Sequence, residues 1–193
     1  RNNLSIDFFY QRYKYINSMN LKKFIRSVPD YPKKGILFRD ITTLIKDEKA
    51  FAESIDQIIE RTKKYKIDKI AAIESRGFVF ASAVSYLLKK PFIMLRKKNK
   101  LPADTYSVDF ELEYGTATIE VHKDSIENDD SVLIIDDLIA TGGTAEAAAK
   151  LIEMSGGNVS AFIFVINLFD LKGSNNLIKK NYNVENLIDF PGH

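Results

Sequence analysis

The 193-residue chain has no cysteine and only two histidines. Without thiols there are no disulfides, no thiolate nucleophile and no cysteine-ligated zinc, and a reducing compartment is permitted. His122 and His193 are too few for a histidine metal cluster; His122 ends a strand-like run and His193 is the last residue. No run approaches the roughly 18 apolar residues that span a bilayer. The longest candidate, Ala161–Ile166, reads as a core strand. Neither charge dominates, since 28 Lys+Arg against 26 Asp+Glu leave a net +2; global charge argues neither for nor against nucleic acid. Two familiar phosphate loops are also missing. There is no G-x-x-x-x-G-K-[ST], which would bring a lysine to a nucleoside triphosphate, and no G-x-G-x-x-G dinucleotide fingerprint. What remains, 45% hydrophobic and 28% charged residues, is ordinary globular composition in a chain the size of one domain.

Along the chain, strand-like and helix-like segments alternate. A short helix is expected near Asn20–Arg26, broken by Pro29 and Pro32, then an extended segment over Gly35–Arg39. Apolar residues at Phe51, Ile55, Ile58 and Ile59 have helical spacing. Lys69–Glu74 reads as a strand, Phe78–Leu88 as a helix and Pro91–Leu95 as a strand. A polar loop is expected from Lys97 to about Tyr114, followed by strands over Thr116–Val121, Val132–Ile135 and Ser160–Leu168. The alternation predicts an α/β fold with a mostly parallel sheet and ligands at the carboxyl ends of its strands.

The most informative stretch is VLIIDDLIATGGT, Val132–Thr144. Four apolar residues suit a strand buried on both faces. Two carboxylates, Asp136 and Asp137, follow; then come the small residues Ala140, Thr141, Gly142, Gly143 and Thr144, and AEAAAKLIEMSGG, a helix closing on Gly156-Gly157. Strand, loop and helix in that order aim backbone N–H groups and the positive helix end at the loop, which makes an anion site. The glycines allow close approach and positive φ, and the threonine hydroxyls can donate to phosphate oxygens. The aspartates point to a diol or a divalent cation on the same ligand.

This stretch resembles the phosphoribosyl-pyrophosphate (PRPP) motif of the type I phosphoribosyltransferases. The resemblance implies that Asp136 and Asp137 hold the ribose hydroxyls and influence bound Mg²⁺, while Ala140–Thr144 cradle the 5-phosphate. It implies the family's fold: a central, mostly parallel β-sheet flanked by helices, with a small N-terminal hood and a flexible lid loop. Met19 looks like the natural beginning of such an enzyme, so residues 1–18, which mix aromatics with charge and lack a signal core, are expected to be an extension before a single domain over 19–193.

Four further segments extend the resemblance. Glu74-Ser75-Arg76-Gly77 lies between a strand and a helix and matches the family's pyrophosphate loop, often built with a cis peptide; by itself it is also a plain helix start with an exposed arginine. Leu95–Lys100 carries four cations in six residues, ordinarily a solvated basic loop; Arg96, Lys97 and Lys100 match pyrophosphate contacts on a lid that keeps a reactive intermediate from water. Leu112-Glu113-Tyr114-Gly115 matches the adenine-using branch of the family, where the glutamate stands by the purine imidazole edge and the tyrosine covers the site. Val28–Thr43, VPDYPKKGILFRDITT, resembles that branch's hood: Phe38 offers a stacking face, the backbone at Leu37 and Arg39 an N–H and a C=O for adenine, and Leu138 the opposite face. Read without the resemblance, Ile36–Phe38 are core residues and Glu113 is a surface residue. Relatives acting on 6-oxopurines carry a carboxylate just before the Thr-Gly, where this chain has Ala140, which cannot accept a proton.

The implied activity is adenine + PRPP → AMP + pyrophosphate in purine salvage, with Glu113 and Arg76 as the catalytic groups, Mg²⁺ as cofactor, a homodimer in the cytoplasm, and neither nucleic acid nor membrane as partner. The alternatives are a phosphoribosyltransferase for another purine, which Ala140 disfavours, and a PRPP-sensing regulator of the same fold, for which residues 1–18 are too short to supply a DNA-binding domain.

Overall fold

The computed structural model describes residues 19–112 and 115–192. After a 3₁₀ turn at Leu21–Phe24, strands β1 (Arg26–Pro29) and β2 (Leu37–Asp40) pair antiparallel as a separate two-stranded sheet. Helix α1 (Thr42–Ile45) leads into α2 (Glu48–Thr62). Helix α2 starts earlier than its apolar spacing suggests because Asp47 caps it, accepting from Lys49 N at 3.1 Å and Ala50 N at 2.9 Å.

The main sheet contains β3 (Lys69–Ile73), β4 (Phe92–Lys97), β5 (Thr105–Leu112), β6 (Gly115–His122), β7 (Ser131–Ile139), β8 (Asn158–Leu168) and β9 (Val184–Phe190). Its order is β5-β6-β4-β3-β7-β8-β9. Strands β4, β3, β7, β8 and β9 run parallel, while β6 and β5 are added antiparallel. Helices α3 (Gly77–Leu88), α4 (Gly143–Met154) and α5 (Gly173–Lys179) flank it. Among the described residues no helix is long and apolar enough to cross a membrane.

Strand β7 is central. Val132, Leu133, Ile134 and Ile135 are each fully buried, facing two separate clusters on opposite sides of the sheet. At roughly 1.5–3 kcal/mol per buried aliphatic side chain, this strand fixes the register around which the site is built.

Two expectations are corrected. The polar loop expected from Lys97 to Tyr114 ends at Asp104; Thr105–Leu112 is strand β5, paired residue by residue with β6 from Thr105↔His122 to Leu112↔Gly115. Tyr106, Val108 and Phe110 alternate onto the core between polar neighbours, which is the period of a half-buried strand. The helix expected near Asn20–Arg26 is only the 3₁₀ turn at Leu21–Phe24, and Arg26 already begins β1, paired with Asp40; at the other end of the chain β9 joins the sheet beside β8.

Candidate active site

The carboxyl ends of β3 and β7 lie side by side, with Ala72 opposite Ile135. Both following segments therefore open on one cleft, lined by Ile73–Arg76 from the first and Asp136–Ala145 from the second. The sheet thus joins the two candidate anion sites, Glu74–Gly77 and Ala140–Thr144, which are far apart in sequence.

Strand β7 continues through both aspartates to Ile139 instead of ending before them. Alternation puts their side chains on opposite faces, yet they remain coupled: Asp136 Oδ1 accepts from Asp137 N at 2.9 Å. Burial pushes the Asp136 carboxyl well above the usual range, and the neighbouring Asp137 charge adds to this. Burial also raises Asp137, against the opposing pull of Arg76. Arg76 Nε stands 2.9 Å from Asp137 Oδ2, and among the described residues no group is aligned to donate a hydrogen bond to that buried oxygen. The pair is therefore desolvated and short of donors, a poor place for negative charge until a ligand supplies hydroxyls or a cation.

The two glycine-bearing turns work by different means. Gly142 has φ +96° and precedes α4, as a tight turn into a helix requires. Gly143 and Gly77 have ordinary helical backbones, so positive φ, expected at both Gly142 and Gly143, holds only for the former. Gly77 is needed for closeness: a Cβ there would lie 2.7 Å from Asp136 Oδ1 and 3.0 Å from Ile135 O. That lets the start of α3 rest on β7 at the carboxylate pair. A Cβ on Gly143 would lie 3.2 Å from Glu111 O, bringing β5 against the start of α4. Thr141 is exposed and Thr144 half-buried at the cleft.

The Glu74–Ser75 peptide is cis. Glu74, named from the sequence only as the first residue of that motif and given no role there, anchors the basic segment. Its carboxylate accepts from Lys97 N at 3.0 Å and from Arg96 Nη2 at 3.2 Å, and these bonds hold it below the usual glutamate range, the Lys97 bond first. Arg96 also donates to Lys100 O at 3.1 Å. Its guanidinium thus clasps the turn, while Lys97 and Lys100 remain exposed beside the cleft.

The hood reaches the same place. The Arg76 guanidinium carbon lies 5.4 Å from the Phe38 ring centroid, and Tyr31 packs edge-on to that ring at 5.1 Å. Arg76 therefore bridges the buried aspartate and the hood aromatic. Leu37 and Phe38 are half-buried and Arg39 is buried, its side chain turned to the body of the protein. Leu138 from β7 and Ala140 just after that strand line the cleft. Glu113 and Tyr114 lie outside the described residues; the flanking Leu112 and Gly115 are paired between β5 and β6.

A phosphoribosyl transferase domain model matches residues 41–190. The chain belongs to the phosphoribosyltransferase family. Within that family it groups with adenine phosphoribosyltransferases: it is 83% identical over 175 residues to the adenine phosphoribosyltransferase of Pelagibacter ubique, covering 91% of this chain and 100% of that one. The crystal structure of adenine phosphoribosyltransferase from Thermoanaerobacter pseudethanolicus superposes with a TM-score of 0.85 at 47% identity, covering 88% of this chain and 98% of that one. The Saccharomyces cerevisiae enzyme, complexed with an imino-altritol bisphosphate and adenine, gives a TM-score of 0.81 at 36% identity over 87% and 96% of the two chains.

In this phosphoribosyltransferase one supporting residue is visible only in three dimensions. Gly173 begins α5 against the Ala140–Thr144 loop and donates its N–H to Ala140 O at 3.0 Å. Its sequence context, Asp170-Leu171-Lys172-Gly173, fits the family without indicating that role.

Proposed function

We propose that the protein transfers the 5-phosphoribosyl group of PRPP to adenine, giving AMP and pyrophosphate. One observation carries the reading: a desolvated aspartate pair stands between two backbone-built anion sites, under an aromatic hood. PRPP has that layout, with a 5-phosphate, a diol and a diphosphate at C1. Ala140–Thr144 hold the 5-phosphate, Asp136 and Asp137 accept from the ribose hydroxyls, and Ser75, Arg76, Lys97 and Lys100 face the pyrophosphate, with Arg96 setting the turn that presents the lysines. Displacement at C1 through an oxocarbenium-like state builds negative charge on the departing pyrophosphate, which this fixed cationic rim stabilises. Adenine stacks on Phe38 between the backbone groups of Leu37 and Arg39, with Leu138 opposite.

Mg²⁺ fits this donor set. Among the described residues no cluster of three or more histidine, cysteine or acidic side chains can cage a metal, whereas Mg²⁺ commonly rides on substrate phosphates with one or two carboxylates. Asp136 and Asp137 are the carboxylates available, and the ion would supply positive charge at the pyrophosphate.

Incubation with labelled adenine, PRPP and Mg²⁺ is expected to yield AMP, with no IMP from hypoxanthine; absence of AMP would refute the assignment. Glu113 is read as the group that handles the imidazole proton. Glu113→Ala is then expected to lower kcat by about 10²–10⁴-fold with PRPP affinity within a few-fold, and full turnover would remove that role.

The working unit is read as residues 19–193, in the cytoplasm and as a homodimer. The outer face of α3 and β4 supports a second copy, since Val79, Tyr86, Leu87 and Met94 are all exposed, Tyr86 at 82%. Tyr86→Asp is expected to give a monomer in sedimentation equilibrium; an unchanged mass would place the interface elsewhere.

A further inference from the structure

A two-stranded sheet is marginal by itself, and β1–β2 shares no strand pairing with the main sheet. Something else must hold β2 at the angle the base requires. The end of β9 and the residues after it are placed to do so. Arg39 Nη2 donates to Pro191 O at 2.9 Å, its Nη1 donates to Ser27 Oγ across the β1–β2 pair, and its guanidinium lies 4.4 Å from the Phe190 ring centroid. Lys22 adds a second cation 4.7 Å from that ring and donates to Asp189 O at 2.9 Å. One residue further, Gly192 N donates to Asp170 Oδ1 at 2.6 Å, and a Cβ on Gly192 would lie 2.8 Å from Leu171 Cγ. The tail is thus pinned between the hood and the loop preceding Gly173. Phe38 and Arg39 are successive strand residues, so they point to opposite faces of β2: one toward the cleft, the other into the tail.

We propose that Phe190–Gly192 is a strap that fixes the hood, and that Arg39 is a positioning residue for the purine through its side-chain grip on this strap. The inference rests on the hood being the purine subsite. It assigns the Arg39 guanidinium a task separate from the adenine contact of its backbone. The strap touches neither the phosphate loop nor the pyrophosphate turn directly, so its loss acts on the base and leaves PRPP alone.

The test uses the full-length protein and separate KM values for the two substrates. Arg39→Met removes the hydrogen bonds at similar length and is expected to raise KM for adenine about tenfold, the scale of a lost charged hydrogen bond, with KM for PRPP within about twofold. Arg39→Lys, which keeps a cation over Phe190, is expected to recover part of the loss. Lys22→Met, which frees the Asp189 carbonyl and the Phe190 ring without touching Arg39 or the loop before Gly173, is expected to show the same adenine-selective change in smaller measure. Equal rises in both KM values, or none, in Arg39→Met and Lys22→Met would overturn the strap. Phe38→Ala separates the two ideas: if it leaves KM for adenine unchanged, the purine assignment of the hood fails, whereas a rise in Phe38→Ala without one in the strap variants sinks the strap alone.

Discussion

Asp136→Asn is expected to make the protein more heat-stable and nearly inactive. The Asp136 carboxyl is buried, pushed far above its ordinary value of 3.8, and beside a second carboxylate. Asparagine keeps the Oδ1 acceptor used by Asp137 N and removes the repulsion. The sign follows from proton binding. A carboxyl whose folded pKa is raised holds its proton in the folded state at pH values where the unfolded chain has lost it. Stability therefore falls as pH rises from the unfolded value through the folded one. The variant escapes that fall, so its advantage in Tm grows with pH across the window and is about 2–4 °C for each kcal/mol of relieved strain in a protein of this size.

Function responds in the opposite direction. An amide at Asp136 presents an N–H toward a ribose hydroxyl and no charge toward a cation, and a fall of about 10²-fold or more in kcat/KM for PRPP is expected. In the parent protein, affinity for PRPP is expected to rise with pH through the titration of the pair, because the ligand binds the ionised form. Calorimetric titration at several pH values together with thermal melts checks both parts. A variant of unchanged activity, or one that melts lower at neutral pH, would contradict this account of the pair.

The same residues show why part of this site was legible in sequence and part was not. The Val132–Thr144 motif is local: buried strand, acids and small-residue loop follow one another, and the structure preserves that order with β7 extended through the acids. Glu74–Gly77 was also recognisable, but its joining to the first motif depends on the parallel pairing of β3 with β7, which no local pattern contains. Strand β5 was missed although Tyr106, Val108 and Phe110 alternate correctly, because the basic run and Pro102 before it suggested a continuing loop. Positive φ fails at Gly143 because sequence does not separate a glycine chosen for its dihedral angles from one chosen for the atom above it. Arg39 and Gly173 were the least accessible. Their partners, Pro191 and Ala140, are set by how the last strand and helix pack against the rest.

Gly173 carries the second large effect. A Cβ at this position would lie 2.3 Å from Ala140 O, 2.8 Å from Ile139 Cγ1 and 2.9 Å from Gly142 N. Two of these are backbone atoms of the phosphate loop itself, so no side-chain rotation relieves the overlap. The loop is pinned from the other direction as well: Gly142 holds φ +96°, and a Cβ on it would meet Gly173 Cα at 3.2 Å. Even the smallest substitution must displace the Ala140–Gly142 backbone or push α5 away and break the Gly173 N–H to Ala140 O bond. A displacement approaching 1 Å at a positioning element typically removes about 10²-fold of activity. Gly173→Ala is therefore expected to weaken PRPP and AMP binding by about that factor, with circular dichroism unchanged, because the strained atoms belong to the ligand loop and not to the sheet. Gly142→Ala should act in the same direction. Once either change has displaced the loop, adding the other should cost less than its single effect, since both act on one contact. A Gly173→Ala protein that binds PRPP within twofold of the parent would show that the cradle tolerates displacement and that its grip on the 5-phosphate does not depend on α5.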